Sequence, residues 1–347
     1  MGQKRTGSPS SILSAISEST GFNLEDFEDS SVNYWLSSGS YVLDLAISGG
    51  RGYPGGRLIE IFAEDQEGKS ALALHAIREA QKRGGLGIYV DSESTYDPVF
   101  TKNLGVSLDS NKFLRVDTRT LKPKKSKLPA GTLEDVFDFM FKVTTNFLKN
   151  SQDKPMVMVI DSVSNIPMRD ELKMDIQKDT IPMGLMARKM SLYFRQGLIR
   201  NLGGSNIFII FISQLKDTMS AFGARHSCIG GKATRFQASI RLQIQAKNVI
   251  RDLEKRPVGI TCHVKVVKNK IAVPFKEADF DLYFNGGIDD VGAVVDAMGV
   301  LGKLGGAAAM GWYEFEGTKY RHHELKKILL ENPELLIKFK EQIGGGK

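Results

Sequence analysis

Between the apolar run Leu58–Phe62 and a helical pattern that starts at Lys69 stands the string Ala63-Glu64-Asp65-Gln66-Glu67-Gly68-Lys69-Ser70. It fits the phosphate-binding form Gly-x-x-x-x-Gly-Lys-Ser with Ala in the first place, and strand–loop–helix is the setting in which that form works. Backbone N–H groups of such a loop, with the helix N-terminus, cradle phosphate oxygens. Lys69 is then expected to reach the β- and γ-phosphates and Ser70 to ligate Mg²⁺. The expected contacts of ATP run over Glu64, Asp65, Gln66, Glu67, Gly68, Lys69, Ser70 and Ala71. Three carboxylates are unusual beside phosphates; because the backbone binds, Glu64, Asp65 and Glu67 can point outward.

The surrounding pattern sets the fold class. Short, nearly continuous apolar runs (Leu58–Phe62, Gly87–Asp91, Val157–Asp161, Ile207–Ser213) alternate with helical stretches over Lys69–Arg83, Leu133–Leu148 and Gly184–Leu202. Strands without polar alternation are those covered by helices on both faces of a parallel sheet. The chain therefore reads as α/β, a phosphate-loop ATPase core with a mostly parallel twisted sheet. The β-rich stretches Ser239–Gln245 and Gly259–Val267 extend it. Ser10–Ser19 reads as a short amphipathic helix in an N-terminal arm, residues 1–36. The core spans 37–286. A small α+β C-terminal domain, 287–347, holds a Trp312–Phe315 strand and a last helix Glu324–Lys340, and Gly344–Lys347 reads as a frayed tail.

Three further strand ends carry polar groups to the sheet edge where ligands bind in such folds. Glu93, in Asp91-Ser92-Glu93, is placed to orient a water toward the γ-phosphate, while Asp91 is either a partner in this or structural. Asp161 closes Met156–Ile160 and is expected on the Mg²⁺ side, although a helix-capping Asp-Ser pair has the same appearance. Gln214, after Phe211-Ile212-Ser213, can sense the γ-phosphate and pass its state onward. The next segment, Leu215–Arg235, holds Lys216, Arg225, His226, Lys232 and Arg235 with three glycines and Phe222. It reads either as a mobile loop that grips a nucleic-acid backbone and wedges an aromatic between bases, or as a plain surface loop.

Composition narrows the rest. With 41% hydrophobic and 25% charged residues the 347-residue chain buries a substantial core, about two domains by length. Its longest apolar runs fall far short of the ~20 residues a membrane span needs, so a cytoplasmic protein without membrane contact is expected, in the host cytoplasm if the source is viral. Cys228 and Cys262 form no CxxC pair, against a disulfide scaffold or zinc cluster. The net charge is +7; residues 1–40 hold two basic and five acidic side chains and 290–347 eight of each, leaving about +10 in between. A polyanion would meet that middle, unless the excess only solvates the surface. The run Lys122–Lys127 is either a solvated loop or a secondary DNA contact.

Together these strings resemble the RecA-type homologous recombinase family in its bacterial and phage forms. They are Ser37-Ser38-Gly39-Ser40 with Leu43-Asp44, Gly56–Ile61, Asp91-Ser92-Glu93, Asp97-Pro98, Met183–Arg188, Gly230–Ala233, and above all Lys265–Ala272 with Pro274-Phe275-Lys276. The resemblance implies that Glu93 activates the water, that Asp97 and Phe100 contact adenine, that Asp161 is the Mg²⁺-side acid and that Gln214 is the nucleotide-to-DNA switch. Asp170–Met183 then corresponds to a first DNA-binding loop, with Met183 as an apolar wedge and Arg188 close behind it. Lys216–Lys232 corresponds to a second, with Phe222. Lys268 and Lys270 correspond to the pair that reaches a neighbour's γ-phosphate. The arm docks on the adjacent protomer, and a head-to-tail contact that does not close gives a helical filament.

The function expected is thus an ATP- and Mg²⁺-dependent, DNA-stimulated ATPase that forms a filament on single-stranded DNA and exchanges strands with homologous double-stranded DNA in recombination and repair. A ring-forming helicase or branch-migration ATPase is one alternative, opposed by Lys268-Asn269-Lys270 and the arm. A nucleotide-binding scaffold whose acid-rich loop no longer supports turnover is another. The phosphate loop beginning with Ala63, the Lys122–Lys127 insertion and the lack of an acidic C-terminal tail depart from the family pattern.

Overall fold

The computed structural model describes residues 32–121, 131–150, 153–173, 184–195, 202–220, 223–228, 232–307 and 311–345. The Ser10–Ser19 helix, the Lys122–Lys127 run, Met183 and Phe222 lie outside them. The chain enters at β1 (Trp35–Leu36), makes α1 (Tyr41–Ser48) and returns as β2 (Tyr53–Pro54) to pair with β1. Then come β3 (Arg57–Ala63), α2 (Lys69–Lys82), β4 (Leu86–Asp91), α3 (Pro98–Asn103), β5 (Phe113–Asp117), α4 (Leu133–Asn150), β6 (Met156–Asp161) and α5 (Leu185–Tyr193). The second half holds β7 (Ile207–Ser220), β8 (Gly223–Cys228), α6 (Lys232–Gln237), β9 (Ile240–Arg251), β10 (Pro257–Asn269), β11 (Glu277–Tyr283) and β12 (Gly287–Ile288). The C-terminal part adds α7 (Asp290–Val300), β13 (Trp312–Phe315), β14 (Thr318–Arg321), α8 (His322–Glu331) and α9 (Pro333–Ile343).

The main sheet runs in the order β12-β11-β10-β9-β3-β7-β6-β4-β5, with β8 paired to the outer part of β7. From β9 to β5 every neighbour is parallel; from β9 to β12 every neighbour is antiparallel. Period-two geometry divides each apolar strand between two faces. Ile59, Ile61, Val157, Val159, Phe208, Ile210 and Ile212 face one core with α1 and α2. Leu58, Met156, Met158, Ile160, Ile207, Ile209 and Phe211 face the other with α4 and α5. A third cluster joins α7, α8, α9 and β13 through Val294, Met298, Leu325, Leu329, Phe339 and Tyr313. No helix among the described residues is long and apolar enough to cross a membrane.

Several elements differ from the sequence pattern. The segment after Gln214 is not a plain loop where it is described: β7 runs on to Ser220 and turns back as β8, followed by α6. Nothing between Ser213 and Gly223 stops a strand, since the stretch holds neither Gly nor Pro. The last helix is two helices, because Pro333 cannot donate to a continuing helix and instead starts α9, with Asn332 as its N-cap. The edge strand β5 escapes the apolar-run criterion because Leu114 and Arg115 are exposed. The helix of 184–202 starts one residue later, at Leu185.

Candidate nucleotide site

Parallel pairing brings the ends of four strands to one edge. Ala63 of β3 lies opposite Gln214 of β7, and Asp91 of β4 opposite Asp161 of β6. The phosphate loop leaves β3 at this edge and enters α2 through Gly68 at φ 89°, where a Cβ would come within 3.0 Å of Leu282. Left-handed backbone and close packing together account for glycine here. The loop lines a cleft of about 730 Å³ with Lys69, Ser70, Ala71, Glu93, Phe100, Asp161 and Gln214.

Lys69 is buried, and its ammonium donates to the carbonyls of Ala63 (3.2 Å) and Glu64. Burial lowers its pKa, opposed by the nearby carboxylates of Asp65, Asp161, Glu67 and Glu93. Ser70 Oγ donates to Asp161 Oδ2 at 2.6 Å, and the phenol of Tyr89 donates to the same oxygen. Burial raises the Asp161 pKa, while the Ser70 and Tyr89 hydroxyls and Lys69 pull it back. A hydroxyl and a carboxylate in direct contact form an oxygen donor set suited to a hard divalent cation.

Glu93 faces this pair across the cleft. Its Oε1 accepts from Gln214 Nε2 (3.2 Å) and Asn165 Nδ2 (2.8 Å). Asp91 is a structural carboxylate: it accepts from the Arg115 guanidinium at 2.8 Å and from the Thr95 N–H at 3.4 Å. Asp97 Oδ1 caps α3, accepting from Val99 and Phe100 N–H, with Pro98 at the first helical position. Phe100 thereby enters the apolar wall of the cleft with Val249, Pro257, Ile260, Leu282 and Phe284.

The carboxylates of the acid-rich loop lie at the rim of the cleft, with Asp65 Oδ1 4.0 Å from the Lys69 ammonium. The Glu64, Asp65 and Gln66 residues are exposed. Glu67 turns to the β9 side, where its Oε1 accepts from Ala246 N–H (3.3 Å) and its Oε2 from Glu64 N–H (3.1 Å).

The remaining predicted residues lie elsewhere. Lys268 and Lys270, at the end of β10, do not line the cleft; Lys268 Nζ donates to the carbonyls of Arg235 (2.6 Å) and Phe236 (2.9 Å), and Lys270 Nζ to that of Phe236 (3.3 Å). Arg188 is exposed on α5. Lys216 lies on β7, Arg225 on β8 and Lys232 at the start of α6. Residues 170–173 are the only described part of the Asp170–Met183 stretch, and Glu171–Lys173 there form a single helical turn.

Sequence reasoning missed Tyr89, Asn165 and the wall formed by Val249, Pro257 and Phe284. A signal existed for Tyr89: a phenol inside a buried strand usually finds a hydrogen-bond partner. Asn165 and the wall are brought in by tertiary contacts between segments far apart in sequence.

Residues 14–120 and 142–289 match the family model described as the RecA N-terminal domain. Three proteins called Protein RecA are each 34% identical to the chain. The one from Methylobacterium sp. (strain 4-46) aligns over 308 residues, 86% of this chain and 76% of the relative. Leptospira meyeri gives 311 residues, 89% and 73%, and Brucella canis 308 residues, 86% and 76%. The nucleotide-binding edge, the matched model and these relatives agree: the chain belongs to the RecA family, the DNA-dependent ATPases of recombination and repair.

Proposed function

We propose that this protein binds ATP with Mg²⁺, assembles as a helical filament on single-stranded DNA and exchanges strands with a homologous duplex. The observation that carries the reading is the convergence, in parallel register, of the phosphate loop, the Ser70–Asp161 pair and the Glu93–Gln214 pair on one cleft.

Within this reading the loop backbone and Lys69 hold the phosphates, and Phe100 and Asp97 the adenine. Ser70 and Asp161 would hold the Mg²⁺. When bound, the ion neutralises charge on the transferring phosphoryl group. Glu93 takes the proton of the attacking water, kept in place by Asn165. Gln214, hydrogen-bonded to Glu93, exchanges that partner for the γ-phosphate and so reports the nucleotide to the segment that follows. Met183, Arg188, Lys216, Phe222, Arg225 and Lys232 contact DNA. Lys268 and Lys270 act on the nucleotide of the adjacent protomer, on which residues 1–36 also dock.

ATP hydrolysis with and without single-stranded DNA tests the reading. Stimulation by DNA is expected, as is a loss of about 10²-fold or more in Lys69→Ala. Absent stimulation contradicts the DNA-dependent part, and unchanged turnover in Lys69→Ala contradicts the site.

A further inference from the structure

The segment from Gln214 to Gln237 leaves the sheet on β7 and returns through α6 to β9, and these two stems lie on opposite sides of β3. Glu60 sits in the middle of β3, fully buried, opposite Phe211 on β7 and Arg241 on β9. Its Oε1 accepts from Ser213 Oγ at 3.0 Å, and its Oε2 from Arg241 Nε. Ser213 is also fully buried and immediately precedes Gln214. Arg241 is buried, its guanidinium 4.4 Å from the Phe62 ring centroid, and it faces Lys268 in the β9–β10 register. Lys268 and Lys270 in turn hold the last carbonyls of α6. One carboxylate on the strand that carries the phosphate loop therefore anchors the departing stem through Ser213 and the returning stem through Arg241.

Placing a charge there is costly. A buried ion pair is commonly no more stabilising than apolar residues of the same volume, and Leu58, on the same face of β3, shows that this face packs with aliphatic side chains. What the pair adds is fixed geometry: two donors on two strands, held by two oxygens of one group.

We propose that Glu60 is a positioning residue that clamps both stems of the 214–237 segment to β3 and so couples nucleotide in the cleft to DNA held by that segment. The inference rests on the reading that this segment binds DNA. Ser213 and Glu60 are fully buried and do not line the nucleotide cleft, so their contribution is to the coupling itself, which is reciprocal between the two sites.

The test is the affinity for single-stranded DNA with and without a non-hydrolysable ATP analogue, measured alongside analogue affinity in the absence of DNA. In Ser213→Ala the analogue affinity and the DNA-free turnover stay within twofold of the parent protein. The nucleotide-induced gain in DNA affinity falls at least about threefold. Ser213→Thr, which keeps the hydroxyl, restores it. Glu60→Gln gives the same pattern more strongly; because that change also threatens folding, Ser213→Ala with its Ser213→Thr rescue decides. A nucleotide-induced gain that is unchanged in Ser213→Ala, in protein that binds the analogue normally, overturns the clamp. A parent protein whose DNA affinity ignores nucleotide overturns the DNA reading of the segment, and the clamp with it.

Discussion

The two halves of the main sheet treat their polar groups differently. In the parallel half, β3, β7, β6 and β4 end in groups already bonded to one another: Ser70 and Tyr89 on Asp161, Asn165 and Gln214 on Glu93. In the antiparallel half, Lys247 and Lys265 pair with Asp279 and Glu277 across the strands, but among the described residues Lys268 and Lys270 donate to helix carbonyls alone, and Val273 and Phe275 nearby are each 67% exposed. Burial, helped by Lys270 and Arg241, pushes the Lys268 pKa down to about 8, with Glu60 opposing. The first half is organised around a ligand within its own chain. The second presents cations and apolar side chains at the surface, as a face that meets a second protomer would.

The largest test of that contrast is Glu93→Gln. It keeps the amide-sized side chain and is expected to leave ATP binding and assembly intact while slowing hydrolysis about 10²- to 10⁴-fold, read in single-turnover assays. Full turnover would remove Glu93 from its role. Lys268 offers the matching test on the other half. Its cation is present below pH 8 and lost as pH rises through about 8, so turnover that needs this charge falls on that limb. In Lys268→Arg the limb moves to higher pH, because a guanidinium stays protonated there. A limb that does not move assigns the pH dependence to another group.

The same contrast explains what was legible in the sequence. The phosphate loop and its flanking elements are contiguous, so the string 63–70 with its apolar strand was enough to place Lys69 and Ser70. Glu93, Asp161 and Gln214 were legible because a strand end in a parallel sheet predicts an edge. Their mutual bonds were not: Tyr89 lies 72 residues from Asp161, and Gln214 121 residues from Glu93. The antiparallel half was harder. Lys268 and Lys270 stood out only by family resemblance, since no local pattern says which face a β10 lysine serves. Strand β11 and the Phe284 wall left no local signature, and nothing in the apolar strand around Glu60 says which donors meet its carboxylate.

A smaller effect is expected from Tyr89→Phe. Removing a buried hydroxyl that donates to a carboxylate costs about 1.5–3 kcal/mol of that interaction, which predicts at least about tenfold more Mg²⁺ for half-maximal binding of a fluorescent ATP analogue. An unchanged requirement would reduce Tyr89 to packing. The smallest concerns Asp44 on α1, which packs against β11. Burial raises its pKa to about 7 although Ser37 and Ser38 donate to it. The folded pKa lies above the unfolded one, so this contribution to stability is complete below about pH 4 and is lost as pH rises through about 7. Asp44→Asn is expected to flatten the thermal-stability profile over that window; an unchanged slope assigns it to other groups.

On the proposed reading one chain carries one half of a shared site, and nucleotide drives assembly along DNA. Electron microscopy of the protein with single-stranded DNA and a non-hydrolysable ATP analogue tests it most directly. The account predicts regular helical filaments that require the analogue and are lost in Lys268→Ala. Closed rings, or isolated protomers under the same conditions, would contradict it.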